Sequence, residues 1–288
     1  MVVTIDEKII DVTLEYEKNL KEIIINIDNW LNQGQFIIEK LYVNNQDYTN
    51  KDLDLAIENI SRIDIKTISF TDLNINNLSW TKYFFEKLII AVKNWDINIL
   101  SQVESESKFV LEHIPTLLSL DNIKPELYYS EKLKDLFNSY SYFNCNEEIV
   151  NKDEIITFLN GIDLLLTERL NEYTNTKEEL KTSIEVLYML KDEIENVSIF
   201  LQTGKAKDAG IIMSKFTSSF HKVLRILNFN LKNKDIVGEV DVLSLLTGID
   251  DILNDLVDGY ENKDTVLIGD ILEYELTPKI EILKENFC

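Results

Sequence analysis

The spacing of the apolar residues changes along the chain, and this change constrains the fold more than any other feature. Before about residue 70, apolar and polar residues alternate in short runs, which is typical of half-buried strands. From about Trp80 onward the apolar residues recur every three or four positions, as on one face of an α-helix. Only 8 glycines and 3 prolines occur in 288 residues, so helix breakers are scarce. The sequence therefore predicts a mainly α protein with a small N-terminal α+β module.

The first residues of the module have the pattern of a β-hairpin. An alternating run over residues 10–16 predicts a strand, and Val3 and Ile5 predict its partner across the polar residues 6–8. Apolar residues at helical spacing follow from Leu20 to Leu31. We therefore expect a hairpin followed by a helix.

The rest of the module adds two strands. Gly34 is placed to end the first helix, and the next alternating run, residues 37–43, stops at Asn44-Asn45, a turn sequence. A short helix over residues 53–60 and a strand over residues 63–70 complete the segment. This order of hairpin, helix, strand, short helix and strand resembles a β-grasp (ubiquitin-like) module.

The C-terminal region has clear amphipathic helices. One has apolar residues spaced 4, 3, 3, 4, 3 and 4 positions apart from Leu180 to Leu201, and Thr176 with Glu179 forms a capping-box sequence before it. Two further helices are indicated by two sets of apolar residues, namely Ile155, Leu159, Ile162 and Leu166, and Val242, Leu245, Ile249, Leu253 and Leu256. We expect a helical bundle.

A weak internal repeat supports helical hairpins. Residues 204–227 align without gaps with residues 260–283, which pairs Asp208 with Asp264, and Asp96 begins a poorer third copy. An aspartate at the end of a short loop can cap the following helix.

The sequence thus predicts an α+β module over residues 1–74 and an all-α helical-hairpin domain over residues 75–288, with a connector at residues 121–150.

The net charge of −22 limits the classes of partner. Nucleic acid and anionic membranes repel such a surface, so we expect neither as a partner. The chain has only three arginines, which are Arg62, Arg169 and Arg225. Few side chains are therefore available for bidentate recognition of phosphate. The acidic excess is expected to be a solvated surface that could steer a basic protein partner.

The sequence contains no motif that requires a cofactor or a metal. Phosphate-binding loops, the nucleophile elbow, EF-hand loops and paired Cys-x-x-Cys sequences are all missing. His113 precedes Ile114-Pro115, where a helix is expected to stop, and His221 lies within a helical pattern. We expect structural roles for both histidines, no cofactor and no metal. Glutamates two apart, such as Glu273 and Glu275, do not face each other on a helix, so we expect no acid–base pair there.

Aromatic residues are concentrated in the connector. They are Tyr128, Tyr129, Phe137, Tyr140, Tyr142 and Phe143. Tyrosine combines an apolar ring with a hydroxyl that tolerates water, and is therefore favoured at interfaces. Two interpretations stay open: the rings seal the bundle, or they form a partner-binding site.

The expected compartment is the cytoplasm. The first residues lack the basic and apolar regions of a secretory signal, and uninterrupted apolar runs are too short to cross a bilayer. Two cysteines, Cys145 and Cys288, are too few for a disulfide framework.

Three segments, at residues 35–48, 201–216 and 262–281, resemble members of an uncharacterised bacterial group with a strand-rich N-terminal module and a helical C-terminal region. This resemblance implies no activity. The leading hypothesis is a non-enzymatic protein-binding, adaptor or scaffold protein. The alternatives are a self-assembling structural protein, in which a second copy is the partner, and an enzyme or metal protein with carboxylates converging inside the bundle.

Overall fold

The computed structural model describes residues 1–13, 16–118, 131–136, 152–233 and 242–288. These residues form two compact units, an N-terminal unit, Met1–Ser79, and a helical unit, Trp80–Cys288. Helix α2 (Phe70–Asn94) begins in the first unit and continues into the second. The division predicted between residues 74 and 75 falls inside this helix, and the domain boundaries stay a prediction.

The N-terminal unit is an α+β module with a five-stranded sheet in the order β2-β1-β5-β3-β4. Its elements are β1 (Val2–Ile5), β2 (Lys8–Ile10), α1 (Leu20–Gln33), β3 (Phe36–Val43), β4 (Gln46–Asp47) and β5 (Arg62–Ser69). Strands β1 and β5 are parallel at the centre, and the other pairs are antiparallel. Apolar residues of α1 and of the central strands form one core. The predicted fold class, mainly α with a small N-terminal α+β module, is confirmed. The resemblance to a β-grasp module stays a prediction.

Helix α1 begins and ends close to the predicted residues. The Asn19 side chain caps its start by accepting a hydrogen bond from the backbone amide of Glu22 at 3.0 Å. At the other end the Gly34 amide donates to the Leu31 carbonyl, 2.9 Å away. The left-handed residue that turns the chain into β3 is Gln35 (φ 60°), whereas Gly34 has a φ of −87°.

Two details predicted for the module are wrong. In place of the strand expected over residues 10–16, β2 is Lys8–Ile10, and residues 11–13 belong to no strand. Residues 14 and 15 lie outside the described residues. The helix expected over residues 53–60 is reduced to a single 3-10 turn at Ile57–Asn59. Before this turn, the carbonyls of Leu53 and Leu55 accept hydrogen bonds from the first amides of α1, which holds that segment extended.

The helical unit contains the predicted amphipathic helices, and its buried apolar residues from Leu180 to Leu283 form one large core. After α2, the described helices are α3 (Ile97–Leu118), α4 (131–136), α5 (Lys152–Thr174), α6 (Thr176–Met189), α7 (Lys191–Glu195), α8 (Val197–Gln202), α9 (Ala206–Asn233), α10 (Val242–Glu261), α11 (Thr265–Asp270) and α12 (Thr277–Phe287). A π-helical segment, Ile271–Leu276, joins α11 to α12.

The single helix predicted from Leu180 to Leu201 is divided into α6, α7 and α8. The backbone tightens at Leu190 and Asn196, where ψ is −9° and −6°. The Asn196 side chain also donates a 2.6 Å hydrogen bond to the carbonyl of Asp192, in competition with the helical backbone. The predicted capping box is wrong as well, because Thr176 lies inside α6 and its hydroxyl donates to the Tyr173 carbonyl.

Three of the described helix connections share one geometry. In each, a left-handed residue is followed by a residue whose amide donates to the carbonyl five positions earlier, at 2.8 to 3.0 Å, as in a Schellman motif. The left-handed residues are Trp95, Gly204 and Lys263, and the donors that follow them are Asp96, Lys205 and Asp264. The three connections therefore form helical hairpins of one kind.

This geometry corrects the alignment of the internal repeat. Lys205 is the structural counterpart of Asp264, so the gap-free alignment that pairs Asp208 with Asp264 is three residues out of register. Asp96 and Asp264 cap their helices by accepting hydrogen bonds from backbone amides at 3.0 to 3.2 Å. Asp208 lies in the first turn of α9 instead of before it.

Candidate functional site

The aromatic residues predicted as a partner site lie outside the described residues. They are Tyr128, Tyr129, Phe137, Tyr140, Tyr142 and Phe143. Their role in partner binding, and the alternative that they seal the bundle, stay predictions.

A surface groove in the N-terminal unit is the candidate site that the described residues provide. It has a volume of about 450 Å³ and lies between α1 and the chain that follows β2. It is lined by Ile10, Asp11, Val12, Thr13, Glu17, Ile23, Asn26, Ile27 and Trp30. We call this the edge groove, because β2 is the edge strand of the described sheet.

Helix α1 supplies the apolar floor of the edge groove. Ile23, Ile27 and Trp30 are spaced four and three residues apart, so they lie on one face of the helix. The two isoleucines are buried in the module core, whereas Trp30 remains 59% exposed. A large aromatic ring beside a groove can anchor a partner by losing its contact with water on binding.

Strand β2 adds a second apolar surface at the same edge. Ile9 is 77% exposed, although it lies in the middle of a strand. It is paired with Thr4, on the face of the sheet opposite to the buried Val3 and Ile5. Ile10 is paired with Val3 and lines the edge groove. Strand β2 thus presents one isoleucine on each face of the sheet.

The charged side chains that line the edge groove are both acidic. They are Asp11 and Glu17, and no lysine or arginine is among the described lining residues. Glu17 is held in place by the Asn26 side-chain amide, which donates to its Oε1 at 2.8 Å. The groove therefore offers apolar contact together with negative charge.

The hairpin that presents β2 is fastened to the centre of the sheet by Asp6. Both Asp6 and Glu7 have positive φ, 48° and 68°, as in a two-residue hairpin turn. The Asp6 carboxylate accepts hydrogen bonds from the amide and the hydroxyl of Thr67, at 3.0 and 2.6 Å. These bonds favour the charged carboxylate, and they lower the pKa of Asp6 below its ordinary value. These hydrogen bonds therefore hold the turn between β1 and β2 against β5.

The helical unit contains a buried ionic cluster that sequence reasoning missed. Glu172 accepts hydrogen bonds from Arg169 at 2.8 Å and from Arg225 at 2.6 Å, which joins α5 to α9. Desolvation lowers the pKa of Arg169, and its buried Nε has no hydrogen-bond partner among the described residues. The available signal in the sequence was that two of the three arginines of the chain lie within helical patterns, with Arg225 between the apolar residues Leu224 and Ile226. The cluster joins two helices and opens into no described groove.

The two histidines occupy helix positions. The His113 ring stacks on Phe109 with centroids 3.9 Å apart, and its Nδ1 lies 2.8 Å from the Phe109 carbonyl. The expected helix stop at this point is wrong, because α3 continues through Pro115 to Leu118. Burial, and then the charge of Arg225, lower the pKa of His221. Within the part of the chain that the structure describes, no group of three or more His, Cys, Asp or Glu residues could hold a metal ion.

Two models of known protein families match the chain, one in its N-terminal part and one in its C-terminal part. Residues 1–69 are similar to the TP0873 N-terminal domain, and residues 178–286 are similar to a domain of unknown function (DUF8042). Searches of curated proteins and of solved structures found no significant match. None of the described helices is both long and apolar enough to cross a membrane. The three segments that carry the resemblance noted above fall within the matched ranges, and the resemblance to an uncharacterised group, with no activity implied, is confirmed.

Proposed function

We propose that this protein is a non-enzymatic adaptor whose N-terminal unit binds a protein partner at the edge groove. The observation that carries the proposal is the exposure of Trp30 beside a groove of about 450 Å³. A tryptophan at the centre of a protein contact contributes a large apolar area with little loss of side-chain freedom.

The charge of the groove favours a basic partner over a second copy of the chain. Asp11 and Glu17 line it, and the whole chain carries a net charge of −22. Two such surfaces repel each other, whereas a basic surface is attracted and its association is accelerated. Self-assembly through this groove is therefore the less favoured alternative.

In this proposal the protein works in the cytoplasm. Cys288 is an exposed free thiol, and free thiols persist in reducing compartments. In this adaptor, the N-terminal unit would hold one partner while the helical unit performs a second function. The aromatic residues of the connector stay the predicted contact for that second function.

Affinity capture from the native lysate, followed by mass spectrometry, tests the proposal. Three full-length baits are compared: the natural chain, Trp30→Ala, and Ile25→Ala. Ile25 is a matched control because it lies on α1, is 49% exposed and is not among the residues that line the groove. Circular dichroism and thermal unfolding verify that each bait is folded.

We expect a near-stoichiometric partner with the natural chain and with Ile25→Ala, and loss of most of it with Trp30→Ala. Equal recovery with all three baits would place the partner site elsewhere and contradict the proposal. Recovery of the bait alone would also contradict it. A fourth bait, with Tyr128, Tyr129, Tyr140 and Tyr142 replaced by alanine, tests the connector independently.

A further inference from the structure

We infer that the partner of the edge groove is an extended basic segment that joins the sheet as a sixth strand beside β2. This inference rests on the proposed function and specifies how the partner is bound. Its three supports are the open edge of the sheet that the described residues form, the side chains on either face of that edge, and the charge of the groove.

The first support is the backbone at the edge. A two-residue turn makes Ile5 and Lys8 the closing pair of the hairpin, with hydrogen bonds between them. Because such pairs alternate in an antiparallel ladder, the next pair, Thr4 and Ile9, is not hydrogen-bonded. The amide and carbonyl of Ile9 therefore point away from β1, toward the open edge of the described sheet. An added strand can bond to both groups.

The second support is the placement of side chains on the two faces. Alternate side chains of an added strand lie on opposite faces of the sheet. On the α1 face they meet the edge groove, where Ile27 and Trp30 offer apolar contact. On the other face they lie beside the exposed Ile9. The added segment therefore gains apolar contacts on both faces as well as backbone hydrogen bonds.

The third support is charge, which decides between a basic segment and the β2 strand of a second copy. Antiparallel pairing of two β2 strands about Ile9 would bring Asp11 of each copy toward Glu7 of the other. Like charges directly opposite each other destabilise a strand pair. Lysine or arginine in the added segment would instead meet the carboxylate of Asp11, which lines the groove. The geometry and the charge thus favour one kind of occupant.

The test uses the isotopically labelled full-length protein and two short synthetic peptides. In one peptide lysine and valine alternate, and in the other glutamate replaces lysine. Binding is measured by amide chemical shifts, and hydrogen exchange is followed at Ile9. Two variants separate the backbone from the side chain: Ile9→Pro removes the outward amide hydrogen, and Ile9→Ala keeps it. Proline is tolerated on an edge strand where its nitrogen faces solvent.

We expect the lysine peptide to slow exchange of the Ile9 amide and to shift resonances of residues lining the groove. Its affinity should fall about tenfold in Ile9→Pro and much less in Ile9→Ala. The glutamate peptide should bind more weakly than the lysine peptide, and this difference should shrink as salt is raised. If Ile9→Pro does not fold, the exchange rate of Ile9 in the natural chain decides the question.

Three results would overturn the inference: no binding of the lysine peptide, unchanged exchange at Ile9 on binding, or equal binding of the two peptides. If one of these occurs while capture of a cellular partner still depends on Trp30, the mode of binding is wrong and the proposed function stands. If capture is also independent of Trp30, both fail.

Discussion

At Gly269 the backbones of two helices are too close for any side chain. A Cβ atom there would lie 2.8 Å from the Cβ of Ser198, which brings α11 against α8. We expect Gly269→Ala to lower the free energy of unfolding by about 1–3 kcal/mol, because α8 and α11 must separate. Gly210 is the matched control, since it is an exposed helical glycine with no atom within 4 Å of an added Cβ. Gly210→Ala should raise the free energy by about 0.5–1 kcal/mol. Chemical denaturation measures both, and a neutral Gly269→Ala would contradict the described packing.

The buried carboxylate of Glu172 is the second residue on which the helical unit depends. Its side chain is only 7% exposed and holds the guanidiniums of Arg169 and Arg225. Glu172→Ala leaves two buried positive charges without their partner, which should cost about 3–5 kcal/mol. Glu168→Ala, on the same helix, removes an ion pair of Lys222 from a side chain that is 39% exposed, and should cost less than about 1 kcal/mol. Equal losses in the two variants would show that the cluster is not a buried ionic contact.

At the scale of elements, two of the three helical hairpins have a capping aspartate directly after the left-handed residue. The Asp264 carboxylate accepts hydrogen bonds from the amides of Val266 and Leu267 at the start of α11. We expect Asp264→Ala to cost about 1 kcal/mol in thermal or chemical unfolding. Asp208→Ala should cost less, because Asp208 lies within α9 and does not precede it. The reverse order would support the gap-free repeat alignment instead of the structural one.

The β1–β2 hairpin should respond to acid through Asp6. Its pKa is lowered by the hydrogen bonds from Thr67, so the folded state binds a proton less readily than the unfolded state. The resulting stabilisation is present above the ordinary aspartate pKa of 3.8 and is lost as pH falls through the lower folded value. Asp6→Asn keeps the size of the side chain and removes this dependence. The stability difference between the natural chain and Asp6→Asn should therefore shrink as the solution is acidified, and a constant difference would contradict this role.

Much of the molecule could be predicted from the sequence because its elements obey simple periodicities. Alternation located β1 and the two long strands β3 and β5, and three-to-four spacing located α1, α5 and α10. The division of α6 from α7 and α8 could not be predicted, because the apolar spacing runs uninterrupted across Leu190 and Asn196. Backbone geometry at two residues, rather than the apolar pattern, makes that division.

The edge groove could not be predicted from these periodicities. In the sequence Trp30 follows Ile23 and Ile27 at three-to-four spacing, so the apolar pattern does not mark it as an exposed residue. Its exposure arises because β2 ends at Ile10 and no strand of the described sheet lies beyond it. A site that forms where a strand ends depends on the length of that strand. The alternating run over residues 10–16 predicts a longer strand than β2.

Site-specific photo-crosslinking tests the central claim, that a protein partner binds at the edge groove, most directly. A photoreactive amino acid is placed at Asn26, which lines the groove, or at the neighbouring Ile25, which is not among the lining residues. Both full-length proteins are irradiated in the native lysate. The account predicts one prominent crosslinked protein with the probe at position 26 and little of it at position 25. The same crosslinks at both positions, or none at position 26, would contradict it.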